Sequence, residues 1–586
     1  MWKPKTDRTR AALLLLCLGL LMFVPFLGLT DFNSKGEPRE ALVAQQMLQS
    51  GNWILPETQD GEFAYKPPML HWLVATASLP MGEVTEWTSR LPSALAAILT
   101  ALYTFLFFTR RTRTRGSEGE TLQSGFLTAV ILLTSFEMFR AAGNCRVDMV
   151  LTFFMAAAFF HLYGWVERGM RGFPLWAVAM MGLGTLTKGP VAILLPCMVC
   201  GLFALVVTHE REENKVQRAK RWTLTFLRFF GVGLCALLIP GLWYYAAWHQ
   251  AGDKFLYLVY EENVLRFLGR MPYHSHEHGL FYYFPVLLAG LLPWALLLLA
   301  VLFPLPRKEQ FVNLRQRLSS RQWMSGKDAP DMLSLFCRIA VALIFFFYLI
   351  PKSKRGVYLL PFYPFLSYYM ACYVLRLSRQ RPKVLTVFQW TISVLLLAGV
   401  AGYTLMQYGV FEIKGLPVAD IESEYPMLMA CCALIAAYFI LQRQLPHVSL
   451  AVYNVVACYV LLQAFVLPPI LNAKSDKPFA SVLLAESART PAYNYANDGT
   501  GMIHYFTLQF YTAGRVQNWP EAEESARFNT SQRQMPESGI LLIGEKDVEK
   551  FEASFPQYRL HAPEDLHHRS CDTRQNLLIY RFQRRE

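Results

Sequence analysis

Long apolar runs alternate with short basic blocks along most of this chain. Ala11–Leu29, Met149–Val166, Phe226–Trp248, Phe281–Phe303, Ile339–Ile350, Val384–Val400 and Leu450–Leu467 are the clearest runs. Runs near twenty residues match a hydrocarbon layer of about 30 Å at a helical rise of about 1.5 Å per residue. The pattern predicts a polytopic α-helical membrane protein. Lys3–Arg10 precedes the first run as it would in a secretory signal, but no small-residue cleavage site follows, so this run reads as an uncleaved first span.

Lys and Arg gather in the blocks Lys3–Arg10, Arg110–Arg115, Arg211–Arg221, Arg307–Lys327 and Arg376–Lys383. Placing these blocks inside gives about thirteen spans and an outer C-terminus. Residues 30–90 then form a large first outer loop, and Arg140–Asp148, His249–Gly279 and Pro351–Gly356 also face outward. Two shorter runs, Leu175–Leu186 and Val191–Val207, are split by Lys188-Gly189-Pro190. From about Asn472 the composition becomes that of a soluble domain. Ala480–Leu484, Gly539–Gly544 and Asn576–Phe582 read as strands and Val548–Ser554 as a helix. The expected division is a membrane domain over 1–471 and a small outer-face α/β domain over 472–586.

Composition agrees with this reading. The chain is 54% hydrophobic and 17% charged, whereas soluble domains carry about a quarter charged residues. The formal net charge of +13 is distributed in inter-span blocks, which speaks for membrane orientation and against nucleic acid as a partner. The eleven cysteines lie mostly in apolar runs without metal-binding spacing. Cys145 and Cys571 share the outer side, but there is no disulfide framework.

The parity of spans collects the unusual polar residues on one side. The first loop supplies Glu37, Arg39, Glu40, Lys66, His71 and Arg90, and the second outer turn supplies Arg140, Asn144, Arg146 and Asp148. Lys188 follows at the Gly-Pro break, then Glu261, Glu262, Asn263, Arg266 and the alternating His274, His276 and His278, then Lys352, Lys354, Arg355 and Tyr358. Charges beside hydrocarbon are costly, so such a cluster points to function. Several cations near an interface suit a lipid-linked phosphate. A neighbouring carboxylate suits proton transfer or a cation. Each group also has a plainer reading: Glu37-Pro38-Arg39-Glu40 as a helix start, Asp148 as a helix N-terminal acid, Lys188-Gly189-Pro190 as a tight turn, the His-x-His-x-His run as a polar loop, and Lys352–Arg355 as headgroup anchors.

Several motifs carry a family resemblance. Glu37-Pro38-Arg39-Glu40, Ser50-Gly51-Asn52-Trp53-Ile54, Lys66-Pro67-Pro68 and Arg90-Leu91-Pro92 resemble the first outer loop of the GT-C polyprenyl-phosphate-sugar glycosyltransferases. This superfamily includes protein O-mannosyltransferases and the lipid A aminoarabinose transferase. The resemblance continues through Arg146-x-Asp148, Leu186-Thr187-Lys188-Gly189-Pro190, Glu262-Asn263-x-x-Arg266-Phe267, Tyr282-Tyr283, Leu292-Pro293-Trp294 and Lys354-Arg355-x-x-Tyr358. It implies an inverting transfer of a sugar from undecaprenyl phosphate to an outer-face acceptor, lipid A or another envelope glycolipid. The implied setting is a bacterial inner membrane, with the site and C-terminal domain facing the periplasm.

By the same resemblance Glu37 and Asp148 are the catalytic acids. Lys66, aided by Arg266 and Lys354 or Arg355, holds the lipid phosphate, and Arg39, Arg146 and Lys188 join the substrate-binding set. In the aminoarabinose branch a divalent metal is held at the positions of Tyr65, His276 and Tyr358. Here Tyr65 stands where that branch has a Glu ligand, and Gly36 stands where it has an additional Asp. These departures leave the metal and the sugar open. A protein hydroxyl is the alternative acceptor. A lipid-linked-sugar transporter is the alternative from another class, although the chain lacks the internal repeats such proteins tend to show.

Overall fold

The computed structural model describes residues 4–56, 63–64, 66–111, 118–208, 214–265, 277–302, 332–410, 424–487, 490–495, 505–520, 535–561 and 568–585. The inner basic block Arg307–Lys327 and the positions Tyr65, Arg266, His274 and His276 lie outside them.

Among the described residues, six helices are long and apolar enough to cross a membrane, and nine spans result if each bent pair counts as one. The bends have local causes. Between α5 (Glu118–Leu133) and α6 (Phe136–Ala142) the axis turns by 63°. There Thr134 and Ser135 turn their hydroxyls back onto the carbonyls of Val130 and Ile131, a contact that competes with the helical ladder. The run 280–300 turns by 101° where Pro293 interrupts it, since proline disfavours helix at the preceding residue.

The membrane core is built on α4 (Glu86–Arg111), which packs against α1 (Pro4–Phe23), α3 (Met69–Ser78), α5 and α7 (Val147–Glu167). Aromatic rings fill the seam: Phe107 stacks on Phe160, and Phe108 on Tyr368. The helices α8 (Leu175–Lys188) and α9 (Val191–Val207) flank α7. The turn between them rests on Gly189, at φ 109° and ψ −166°, a conformation essentially reserved to glycine. Helix α2 (Gly36–Ser50) follows the first span, with Glu37, Glu40, Ala41, Ala44 and Met47 buried.

The C-terminal part is an α/β unit. Its sheet has the order β2 (Val516–Asn518), β1 (Ala492–Tyr495), β3 (Ser538–Gly544), β6 (Asn576–Arg584), β4 (Tyr558–Leu560), and β5 (His568–Arg569) also pairs with β6. The pairs β1–β2 and β1–β3 are parallel, and those of β6 are antiparallel. Strand β3 is buried from Gly539 to Gly544, which explains its unbroken apolar run. Helices Lys477–Ser487 and Phe506–Tyr511 cover one face, and Val548–Ser554 with Trp519 covers the other.

One expectation is corrected. Ala480–Leu484 is not a strand but the middle of the helix Lys477–Ser487. A short apolar run cannot be told from a buried helical turn by period alone. Here Pro478 sits at the helix start and Phe479, Ala480 and Leu483 fall on one buried face.

Replacing Gly189 by Ala forces a side chain into a backbone conformation it rarely adopts, at a cost of about 1–3 kcal/mol. Thermal unfolding in detergent is expected to show a lower midpoint for Gly189→Ala, while Gly231→Ala, at a helical position with open space around it, leaves the midpoint nearly unchanged.

Candidate active site

The head of α4 places Arg90 under the first loop, 2% exposed. A buried guanidinium must be paired and hydrogen-bonded to be tolerated, and Arg90 is both. Its Nε and one terminal nitrogen donate to the two carboxylate oxygens of Glu37 at 2.9 and 3.1 Å. The other terminal nitrogen donates to the carbonyls of Leu27 and Thr30 and to the Thr30 hydroxyl. Its carbon lies 5.2 Å from the centre of the Phe32 ring. Glu37 also accepts from the Cys145 amide at 2.8 Å, which ties the first loop to the second outer turn. Glu37 is therefore the anchor of the loop, with both oxygens engaged inside the protein.

One turn along α2, Glu40 gathers three partners. Its carboxylate meets Lys66 at 3.2 Å, Arg39 at 3.0 Å and His71 Nε2 at 2.9 Å. Burial pushes the Glu40 carboxyl up, but Lys66, Arg39 and His71 together overturn this and hold it well below the usual carboxylate range. Glu40 and His71 thus join Lys66 and Arg39 in one group.

The second group forms across α7, α8 and the segment after Met332–Leu349. Asp148, in the first turn of α7, is ion-paired with Lys188 at the end of α8. The Lys188 ammonium lies 4.2 Å over the Tyr358 ring. Arg355 lies within electrostatic reach of Tyr358, Arg146, Asp148 and Arg39. Burial holds the Arg355 guanidinium below its ordinary value; Arg146 and Arg39 add like-charge repulsion, while Tyr358 and Asp148 oppose it. The guanidinium of Arg146 rests against Gly36: a Cβ there would come within 1.5 Å of a terminal nitrogen. The absence of a side chain at position 36 is what gives Arg146 its place.

The structure thus brings Arg39, Lys66, Arg146, Asp148, Lys188, Arg355 and Tyr358 into one region beside Glu37. Lys354 stands apart. The residue is 4% exposed, and its ammonium donates to the carbonyls of His278 and Pro351 at 3.1 and 2.7 Å, where the backbones of Glu277 and Ser353 pair in a β-bridge. Arg266 and His276 are outside the described residues. Sequence reasoning placed Arg90, Glu40 and His71 in the outer loop but assigned them no role. An arginine at the head of an apolar helix demands an acidic partner, and that demand was the available signal for Arg90.

The grouping around Glu40 has a pH signature. A carboxyl held below 4.5 in the folded state contributes stability that is complete above 4.5 and is lost as pH falls through the lowered value. The gap in thermal midpoint between the wild type and Glu40→Gln is expected to be wide and constant at neutral pH and to close only below about pH 4.5. A gap that narrows between pH 7 and 5 would contradict this arrangement.

Comparison with known proteins bears on the fold that carries this site. Residues 65–251 match the family model described as dolichyl-phosphate-mannose-protein mannosyltransferase. The undecaprenyl phosphate-α-4-amino-4-deoxy-L-arabinose arabinosyl transferase of Pectobacterium carotovorum is 26% identical over 390 residues, 65% of this chain and 62% of that protein. The corresponding transferase 2 of Proteus mirabilis is 25% identical over 409 residues, 67% of this chain and 62% of that protein. The chain thus spans less than two thirds of the length of these relatives. The crystal structure of ArnT from Cupriavidus metallidurans bound to undecaprenyl phosphate superposes with a TM-score of 0.66 at 19% identity, covering 97% of each chain. This multi-pass membrane protein has the GT-C fold of the polyprenyl-phosphate-sugar glycosyltransferases.

Proposed function

We propose that the protein is an inverting glycosyltransferase that moves a sugar from undecaprenyl phosphate to lipid A or a related envelope glycolipid, working at the periplasmic face of the inner membrane. The observation that carries this reading is the excess of cations in the site. Among the described residues, Arg39, Lys66, Arg146, Lys188 and Arg355 share a region with the acids Glu40 and Asp148, while Glu37 is engaged by Arg90 and Glu137 by Arg140. Such a set needs an anion, and a lipid-linked phosphate supplies one.

The chemistry follows from where charge develops. The bond between the anomeric carbon and the carrier phosphate oxygen breaks, its electron pair staying on that oxygen. An acceptor oxygen forms the new bond from the opposite side. The leaving phosphate gains one negative charge, so fixed cations bind the transition state and the departing group more tightly than the donor. Arg146, Lys188 and Arg355 supply these cations in the proposed reaction. Lys66, bridged to Glu40, orients the phosphate of the carrier.

The ion pairing also favours a phosphate acceptor over a hydroxyl. A hydroxyl needs a base to remove its proton, yet Glu37 has both oxygens on Arg90 and Asp148 is held by Lys188. A phosphate oxygen attacks without losing a proton. For the divalent cation that the resemblance implies, only Tyr358 of the three positions is among the described residues. A Lys188 ammonium over its ring is a poor neighbour for a metal ion, and Tyr65 replaces a carboxylate. These residues do not fit a metal, and no step is routed through one.

Purified protein in detergent, given labelled undecaprenyl-phosphate sugar and lipid A, is expected to yield glycosylated lipid A by mass spectrometry. Translocation of the donor across vesicles without such a product would favour a transporter instead, and glycopeptide products would favour a protein acceptor. Lys188→Ala is expected to lower kcat about a hundredfold or more, the scale of removing one charge-stabilising group. Gly36→Ala puts a methyl group against the guanidinium end of Arg146, the far end of a long side chain. It is expected to lose activity while its thermal midpoint moves little.

A further inference from the structure

The C-terminal unit reaches the site through a set of side chains that the proposed reaction does not use. Lys477 is the centre of this contact. Its ammonium donates to Asp31 and to Glu86, each at 2.9 Å, and lies 5.2 Å from the centre of the Tyr511 ring. The Tyr511 hydroxyl donates to the same Glu86 oxygen at 2.8 Å and accepts from the Phe32 amide at 2.8 Å. Asn472 accepts from the Asp31 amide at 2.8 Å and donates to the Leu29 carbonyl at 3.0 Å. Ser475 donates to the Phe32 carbonyl at 2.9 Å.

These bonds divide one short segment between two owners. Over residues 27–32, the carbonyls of Leu27, Thr30 and Asp31 face Arg90. The carbonyls of Leu29 and Phe32 and the amides of Asp31 and Phe32 face residues 472, 475 and 511. Phe32 is fully buried between the two sides, edge-on to Phe510 at 4.9 Å and under the Arg90 guanidinium at 5.2 Å. Glu86 lies one helical turn before Arg90 on α4, so Lys477 and Tyr511 hold the same helix end that carries the anchor of Glu37.

We propose that the C-terminal domain positions the catalytic loop: Lys477 and Tyr511 fix the 29–32 corner, which fixes Arg90 and, through Glu37, the helix that presents Arg39 and Glu40. They are positioning residues, acting through Arg90 rather than on substrate. The role rests on the proposed transfer reaction, but the contact chain itself is measurable without turnover.

The test uses the full chain in nanodiscs, with Tyr511→Phe, Lys477→Met, Lys477→Arg and the milder Ser475→Ala. Hydrogen exchange is read over residues 27–40, and donor kinetics are read per mole of folded protein. Tyr511→Phe and Lys477→Met are expected to speed exchange in this segment. They are also expected to lower kcat about tenfold or more with little change in KM, as a small displacement of reacting groups does. Lys477→Arg is expected to restore most of the loss. Should Lys477→Met fail to fold, Ser475→Ala carries the same comparison. Unchanged exchange over 27–40, or normal kcat alongside faster exchange, would overturn the proposal. Wild-type protein that shows no transfer at all, yet faster exchange in the variants, would defeat the transferase reading and leave the contact chain standing.

Discussion

The outer face of this protein is organised around one buried ion pair, Arg90 with Glu37. Taking both charges out of water costs several kcal/mol per ion, and their attraction offsets this only with good geometry and further hydrogen bonds. Both conditions are met by the two-point contact, the carbonyls of the preceding loop and the Cys145 amide. The pair joins the end of the first span, α2, the head of α4 and the turn before α7. Loss of either partner alone would strand the other charge in the interior, so the elements that meet at this pair are tied together through it.

Around this anchor the protein keeps an imbalance of charge. Arg146 and Arg39 repel Arg355, and Asp148 and Glu40 offset the array only in part. Fixed cations arranged in advance avoid reorganisation when a leaving phosphate acquires charge. Like charges held this close repel one another, so the anchored loop beneath them and the proposed chemistry above them belong together.

Much of the architecture was legible because hydrophobic periodicity and positive blocks are local signals. The paired helices around Lys188 and the helix Val548–Ser554 follow from them directly. The bends at Thr134-Ser135 and near Pro293 depend on a few residues inside runs that otherwise read as continuous. Ala480–Leu484 was misread because a five-residue stretch, apolar except for Ser481, is too short to show a period. For the site, residue types and their side of the membrane were readable, but pairing was not. Nothing local distinguishes Glu37, turned inward to Arg90, from Glu40, turned to Lys66 and His71, since the two are one helical turn apart and their partners lie 53 and 26 residues away.

The contact between Gly36 and Arg146 couples two distant segments of the chain through one shared space. The two positions are 110 residues apart in the chain yet share one volume, so a side chain at 36 and the present place of Arg146 exclude each other. A side chain at position 36 requires the Arg146 guanidinium to move, whereas glycine there leaves room for it. Two segments far apart in sequence thus form one steric unit beside the ion pairs of the outer face.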